Sequence, residues 1–363
     1  MKALIINDTG NSYHWGCYGT STAIKEKLKA YGISEISTFS CEEGGRIENS
    51  PKKSLLVYSK NKMVRELAKL YYISYFRKKL PVLWESLTKS DCVVINGEGT
   101  INSIHVATRF IFFIIFLAKD VCHKKVYLIN HSCYPKLSSE KQIYYYKCAY
   151  SRCDFVSARE KRSYDIISNI LSVKVEQSFD SLPLLVKSLA KDIPDHQCNE
   201  KYICLSGAVN YNKENSSFIA SEILKKYKDH KIIYLVGSPS GMNNEEPEVI
   251  ESLKKHIPEL IVHDATSFTE WLSIIKNAVV LISGRYHYSI AAMCFGTPTI
   301  CFSSNTPKLD EINKMFNLPE CVRTHADFIR ALKEIEQTSW CSLTDEMSTL
   351  AENNYNFLRP LGK

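Results

Sequence analysis

Ala278-Val-Val-Leu-Ile-Ser-Gly-Arg-Tyr-His287 decides the fold of this 363-residue chain. Its apolar run is short, partly β-branched and broken by Ser283-Gly284, which fits a strand buried on both faces, Val279 to Ser283. Helical spacing follows from Tyr288 to Gly296, and Thr297-Pro298 stops it before a second apolar run, Thr299 to Phe302. A strand, a loop, a helix and another strand in this order build a parallel α/β unit.

The same alternation extends in both directions. In the first half, strands are expected at Lys2–Asn7, Ile33–Phe39, Asp91–Ile95, Val126–His131, Phe155–Ser157 and Val173–Val175. Helices are expected from about Thr20 to Ala30, through the basic stretch to about Lys89, at about Ser138–Tyr150 and at Glu160–Leu171. The Phe- and Ile-rich run 104–118 is long enough to favour a buried helix over a strand. Lys187 to Lys201 breaks the pattern with the polar, Pro-containing run Asp192-Ile-Pro-Asp-His-Gln, where the linker is placed. Alternation then resumes from Tyr202, with a loop Gly237-Ser-Pro-Ser-Gly241 after the strand Lys231–Val236. The expectation is α/β, with two Rossmann-like domains facing a cleft. Residues 1–190 form the first, 200–340 the second and 341–363 a helical tail. In such sheets ligands bind beyond the carboxyl ends of the strands.

Composition narrows the class. With 45% hydrophobic and 23% charged residues the chain is globular rather than disordered, and 14 Gly and 12 Pro exclude collagen-like organisation. The strongest apolar run, Phe110–Ala118, is nine residues, too few to cross a bilayer as a helix. Ala3–Ile6 is too short for a signal-peptide core, so the mature protein is expected to start at Met1 and to be cytoplasmic. The 13 cysteines are read as reduced thiols. Their tightest spacing, Cys148-x4-Cys153, does not pair into a zinc ribbon, so no metal ligand set is assigned.

The formal charge of +7 is concentrated: Ser50–Leu80 carries nine Lys and Arg against Glu66 alone, +8 in all, which leaves −1 elsewhere. This is too local for a nucleic-acid coat, and no nucleic-acid partner is expected. Lys62–Lys79 has helical apolar spacing, with Leu67, Leu70 and Tyr71 near one another on a face. The common use of such a pattern is a helix packed on its own domain with solvated lysines. The other is peripheral contact of helix 60–79 with the inner face of a membrane, aromatics at headgroup level and lysines at phosphates.

Four strand-end loops can carry chemistry. Thr9–Thr20 holds Gly10, Gly16 and Gly19, which can turn backbone N–H groups toward an anion, though it matches no dinucleotide or P-loop motif. Asn96-Gly97-Glu98-Gly99-Thr100 lets backbone approach a ligand and presents Glu98, a group able to orient or deprotonate a sugar hydroxyl. Ser157-Ala-Arg159-Glu160 offers a guanidinium fork to a carboxylate or phosphate, or pairs with a neighbouring acid. Ser283-Gly-Arg285-Tyr-His287 puts a fixed cation one residue from an imidazole, which suits an anionic substrate that gains or loses a proton.

In order and placement these loops resemble the polysaccharide pyruvyl transferase family. The resemblance rests on Gly10-Asn11…Trp15-Gly16-Cys17, Asn96-Gly-Glu-Gly99, Ser157-Ala-Arg159-Glu160, Asp180, and above all Arg285-Tyr-His287 with Gly296-Thr-Pro298 downstream. It spans about residues 1–320. Tyr286 stands for the family's usual Leu, Cys17 for a frequent Asp, and Gly97-Glu98-Gly99 for a more Gly-rich turn. The resemblance implies a two-domain GT-B-like fold, the first domain on the acceptor side and the second on the donor side. It also implies transfer of a pyruvyl group from phosphoenolpyruvate to two hydroxyls of a sugar, forming a ketal. Arg285 and His287 would then lie at the phosphoenolpyruvate site, with Arg159 a further anion contact.

The candidate catalytic residues are therefore His287, Arg285 and Glu98. The candidate substrate contacts are Arg159, Ser283, Tyr286, Asn11, Gly16, Gly97, Gly99 and Thr100. No cofactor is expected beyond phosphoenolpyruvate as donor, and the partner is a saccharide acceptor, free or lipid-linked. Two other readings stay open on the sequence. One is a GT-B glycosyltransferase using a nucleotide-activated sugar such as a CMP-keto-sugar. The other is a non-catalytic sugar-binding protein.

Overall fold

The structure is a computed structural model that describes residues 1–11, 14–40, 53–194, 200–207, 215–237, 245–304 and 306–361. The irregular stretch expected around Glu42–Pro51, the second half of the Asp192–Gln197 run, Ser12 and Tyr13 of the first loop, and Ser238–Gly241 lie outside the described residues. The chain divides into two compact units. One comprises Met1–Asn11, Ser21–Ser181 and Thr349–Lys363; the other comprises Ser12–Thr20 and Leu182–Ser348. The boundary thus falls at Ser181/Leu182, before the polar run expected to carry it. The last residues are not a separate tail, because Asn354 supplies bonds to the Asn130 N–H (3.0 Å), the Ser157 hydroxyl (2.6 Å) and the Phe179 carbonyl (2.7 Å) of the first unit.

The first unit is built on six parallel strands: β1 (Lys2–Asp8), β2 (Glu35–Ser40), β3 (Cys92–Glu98), β4 (Lys125–His131), β5 (Phe155–Ala158) and β6 (Glu176–Gln177). Their order is β2-β1-β3-β4-β5-β6. β1 and β3 pair in register from Ala3↔Cys92 to Ile6↔Ile95 and are buried along nearly their whole length, hence their unbroken apolar sequence. Val173–Val175 is not a strand; the edge pairing falls just beyond it, Ser157↔Glu176 and Ala158↔Gln177. The apolar run forms the helix Val106–Phe116, buried from Thr108 onward except for Arg109, with Phe112 edge-on to Tyr146 at 4.9 Å. Each such buried ring is worth about 1.5–3 kcal/mol of transfer free energy.

The basic stretch makes the helix Lys62–Lys79, capped where Asn61 accepts from the Val64 N–H at 3.2 Å. Pro81 ends it: Leu80 is driven to φ −133°, ψ 58°, and a new helix runs from Pro81 to Lys89. The long helix buries Ala68, Tyr72 and Phe76, the last two with their rings edge-on to Phe113. Leu67, Leu70 and Tyr71, placed on one face by the sequence, do share a face, but it is the outer one.

The second unit carries β7 (Tyr202–Leu205), β8 (Lys231–Leu235), β9 (Ile261–His263), β10 (Val280–Ser283) and β11 (Thr299–Cys301), all parallel, in the order β11-β10-β7-β8-β9. In each sheet the chain winds one way and then reverses. The first reverses between β1 and β3, the second between β7 and β10. Such switch points leave a crevice at the carboxyl ends of the two strands, and both candidate clusters sit there.

The helix Tyr286–Phe295 follows β10 directly and ends at Gly296, whose φ of 72° is left-handed. A Cβ on Gly296 would lie 2.8 Å from the Cys341 carbonyl carbon and 2.9 Å from the Ser342 nitrogen, both backbone atoms. Gly296→Ala is expected to cost about 1–3 kcal/mol, combining left-handed strain with this overlap, read as a lower midpoint in denaturant titration at unchanged slope.

Candidate functional site

The second unit's switch point is tied by a hydroxyl pair: Ser206 Oγ, just past β7, lies 2.6 Å from Ser283 Oγ at the end of β10. Ser283 also accepts from the Arg285 N–H at 3.0 Å. Ser283 is fully buried. Expected as a substrate contact, it instead shapes the loop that follows it. That loop leads into a helix whose N-cap position is Arg285 and whose first turn has no side-chain cap. The leading N–H groups of Tyr286, His287 and Tyr288 therefore have no intrahelical acceptor, and the helix dipole adds positive potential at the same place.

Arg285 is held from several sides. Its Nη2 donates to Glu246 Oε2 at 2.9 Å, and its Nη1 lies 3.2 Å from His14 Nε2. Glu246 Oε1 accepts from the Tyr234 hydroxyl and from the Gly237 N–H, both at 3.1 Å. The guanidinium rests on Gly237, where a Cβ would come 2.1 Å from Nε and 2.2 Å from Cζ. Burial works against the Arg285 charge, but Glu246, with Tyr288 and Tyr234, more than offsets it and the pKa is raised. Burial first, then the Arg285 and His287 charges, hold His14 well below the ordinary imidazole range. His14 is then neutral and can accept from Arg285.

His287 is 7% exposed, with Nε2 3.5 Å from Thr20 Oγ1. It packs on Gly16, where a Cβ would fall 2.1 Å from the His287 Cβ, so Gly16 serves by close approach. Tyr286 opens the helix beside it, with the Lys308 ammonium over its ring at 5.3 Å from the centroid. Donor atoms of His14, Cys17 and His287 lie within 4.8 Å of one another, a nitrogen–sulfur set that suits a soft metal. Arg285 on His14 would face such a dication directly; the same guanidinium favours an anion.

The first unit gathers a different cluster at the ends of β1, β3 and β4. Glu98 Oε1 accepts from Thr9 Oγ1 at 2.5 Å and from Asn96 Nδ2 at 2.9 Å. Asn96 Oδ1 accepts from Asn130 at 2.8 Å, and Asn7 donates to the Asn96 carbonyl at 2.6 Å and to Thr100 Oγ1 at 3.1 Å. Asn7, Glu98 and Asn130 sit at φ 63°, 39° and 53°. Left-handed backbone is tolerated by Asn but costs about 1–2 kcal/mol at Glu98. Gly97 packs on His131, 2.2 Å from Cβ to Cβ if it had one, and Thr100 closes a turn by donating to the Gly97 carbonyl at 3.0 Å. Gly99 lies within that turn, and Asn11 is exposed at the start of the first loop.

Arg159 departs from its expected role as an anion contact. It is 1% exposed, donating to Asp180 at 2.6 Å and to Ser132 at 2.9 Å. Asp180 is itself fully buried, so the guanidinium is spent on an internal ion pair. Sequence reasoning passed over Glu246 and His14. Neither is adjacent to Arg285 in the chain, and Glu246 stands in an acidic helix start, Glu245-Glu246, that reads as solvated. Arg159→Met is expected to lose about 3–5 kcal/mol by stranding the Asp180 carboxylate, and adding Asp180→Leu should recover much of it, as followed by chemical denaturation.

The family profile for polysaccharide pyruvyl transferase matches residues 25–306. No curated protein sequence gives a significant match. Among solved structures, UDP-GlcNAc 2-epimerase from Neisseria meningitidis, bound to UDP-GlcNAc, aligns over 99% of this chain and 100% of its own at 13% identity and a TM-score of 0.59. The UDP-GlcNAc 2-epimerase of Methanocaldococcus jannaschii aligns over 99% and 100% at 14% identity and a TM-score of 0.59. A trehalose-6-phosphate structure from E. coli bound with UDP-2-fluoro glucose aligns over 100% and 99% at 12% identity and a TM-score of 0.58. These likenesses give the fold, two parallel-sheet α/β domains of the GT-B type. With the profile spanning most of its length, the chain belongs to the polysaccharide pyruvyl transferase family.

Proposed function

We propose that this protein transfers a pyruvyl group from phosphoenolpyruvate to two hydroxyls of a sugar in a cell-surface polysaccharide or its lipid-linked precursor, forming a ketal and releasing phosphate. The observation that supports this most is the convergence of Arg285, neutral His14 and His287 at the N-terminal end of the helix after β10, at a sheet switch point. A donor with a carboxylate and a phosphate needs fixed positive charge, which Arg285 and the helix N-terminus supply without reorganisation, with neutral His14 bonded to the guanidinium.

In the reaction, C3 of the enol gains a proton and C2 takes on oxocarbenium character. One sugar hydroxyl adds to C2, the C2–O bond to phosphate breaks, and a second hydroxyl closes the ring. Of the two hydroxyl protons, one balances that gained by C3 and the other leaves with phosphate. His287 is assigned the proton delivered to C3 or to the leaving phosphate. Arg285 neutralises the donor anion, with Glu246 fixing its plane. Glu98, held by Thr9 and Asn96, is assigned the acceptor hydroxyl as base. Arg159 is left out of the chemistry.

The test is incubation with phosphoenolpyruvate and a panel of lipid-linked and nitrophenyl sugars, following inorganic phosphate and product mass. The expected result is phosphate release that requires acceptor, with the acceptor gaining the mass of a pyruvyl ketal. Arg285→Lys should lower kcat/KM about 10²-fold or more while the thermal midpoint holds, because an ammonium cannot reproduce the fork. Gly237→Ala should push the guanidinium aside and raise KM for phosphoenolpyruvate about tenfold, at a stability cost of about 1–3 kcal/mol for disturbing the Arg285–Glu246 pair. Turnover of a nucleotide-activated sugar, with none of phosphoenolpyruvate on any acceptor, would replace this reading by the glycosyltransferase one.

A further inference from the structure

The helix Lys62–Lys79 has two apolar stripes, and the fold uses only one. Ala68, Tyr72 and Phe76 face the core. Met63, Leu67, Leu70 and Tyr71 are 70%, 61%, 72% and 62% exposed. Their spacing, i, i+4, i+7 and i+8, puts them together along one outer face. Val82, at the start of the next helix, is 76% exposed. Scattered exposed hydrophobics are ordinary; a stripe four residues long on one helix is not.

The charge around this stripe is mostly positive, and the two carboxylates in the groove beside Leu70, Asp120 and Glu66, are both paired, Asp120 with Arg152 at 2.9 Å. Lys62, Lys78 and Lys79 are exposed, with no acidic partner among the described residues. The segment's one acid, Glu66, is already engaged by Arg65 at 3.4 Å and Lys69 at 3.2 Å, and its carboxyl is held below the usual range, first by the Lys69 hydrogen bond. Arg77 stacks on Trp84 at 4.3 Å, keeping its charge at the surface beside the stripe.

We propose that this face docks on the surface of an anionic lipid bilayer. Met63, Leu67 and Leu70 would enter the acyl boundary, Tyr71 would sit at headgroup level, and the lysines would meet lipid phosphates. No helix among the described residues is long and apolar enough to cross a membrane, so the contact is peripheral. A second copy of the chain fits poorly: a two-fold interface through this stripe would set one helix of net charge +5 (six Lys and Arg against Glu66) against another. The inference does not depend on the donor chemistry.

The experiment is flotation with vesicles of phosphatidylcholine alone or mixed equally with phosphatidylglycerol, with no substrate present. Wild-type protein should float with the mixed vesicles at about 50 mM salt, not with phosphatidylcholine alone, and should dissociate at about 500 mM salt. Met63→Glu with Leu70→Glu, and separately Lys78→Glu with Lys79→Glu, should each weaken partitioning at least about tenfold at unchanged circular dichroism and thermal midpoint, since all four side chains are exposed. The proposal falls if wild-type protein does not float at low salt, or if both variants float as well as wild type. It also falls if sedimentation shows a dimer that the Met63/Leu70 variant dissociates without any effect on flotation. Phosphate release, measured on the same preparations with a detergent-soluble acceptor, keeps failure here separate from failure of the transferase reading.

Discussion

Everything the second unit does with charge depends on one ion pair, Arg285 on Glu246, laid across backbone that has no side chain to obstruct it. A guanidinium loses hydration at such a site and must be compensated. Glu246 compensates it and is in turn anchored by the Tyr234 hydroxyl and the Gly237 N–H. The arrangement fixes the plane of the cation before any ligand arrives. Because Arg285 is also the N-cap residue of the helix after β10, its backbone and its side chain point one positive region from two sources, the helix N-terminus and the fork.

The two switch points solve opposite problems with the same topology. At β7/β10 the carboxyl ends carry hydroxyls, glycines and a cation, and the N-cap side chain, Arg285, makes no cap bond of its own. At β1/β3 they carry amides and a carboxylate, locked into one network through Asn96, Asn7 and Asn130. A buried polar network is stabilising to the extent that its members are satisfied; here Asn354 supplies bonds that the sheet alone cannot, while Asn7 Oδ1 has no hydrogen-bond partner among the described residues. The left-handed turns at Asn7, Glu98 and Asn130 are the backbone price of aiming these groups past the strand ends.

Strands were legible because parallel strands buried on both faces leave unbroken apolar runs, as at Val279–Ser283 and Asp91–Ile95. Helix starts were less so. The first helix begins at Trp15 rather than near Thr20, because Gly16 and Gly19 read as loop whereas here they let His287 and Phe268 approach the helix. Arg285 and His287 could be picked out because strand, loop and helix surround them in sequence. Glu246 could not, since its partner is 39 residues away and no local pattern marks a carboxylate that will be buried. Arg159 shows the converse. A fork at a strand-to-helix junction looks the same in sequence whether it faces a ligand or, as here, the buried Asp180. Leu67, Leu70 and Tyr71 showed their common face but not its direction, because two apolar stripes lie on one helix and spacing alone does not say which meets the core.

The positive charge of this chain is therefore of two physical kinds. On the Lys62–Lys79 helix it is solvated ammonium, several groups spread over a surface, acting through about a Debye length of 8–10 Å and weakened by salt. At Arg285 it is one desolvated guanidinium with a dedicated counter-charge, acting at hydrogen-bond range where salt does not screen it. The first kind suits holding a protein against an extended charged surface, where orientation of any single group matters little. The second suits gripping one small anion in one orientation, where an error of an ångström costs the reaction. Net charge alone merges the two. It is the placement, unpaired lysines beside exposed Leu and Met in one unit and a buried paired arginine in the other, that separates them physically.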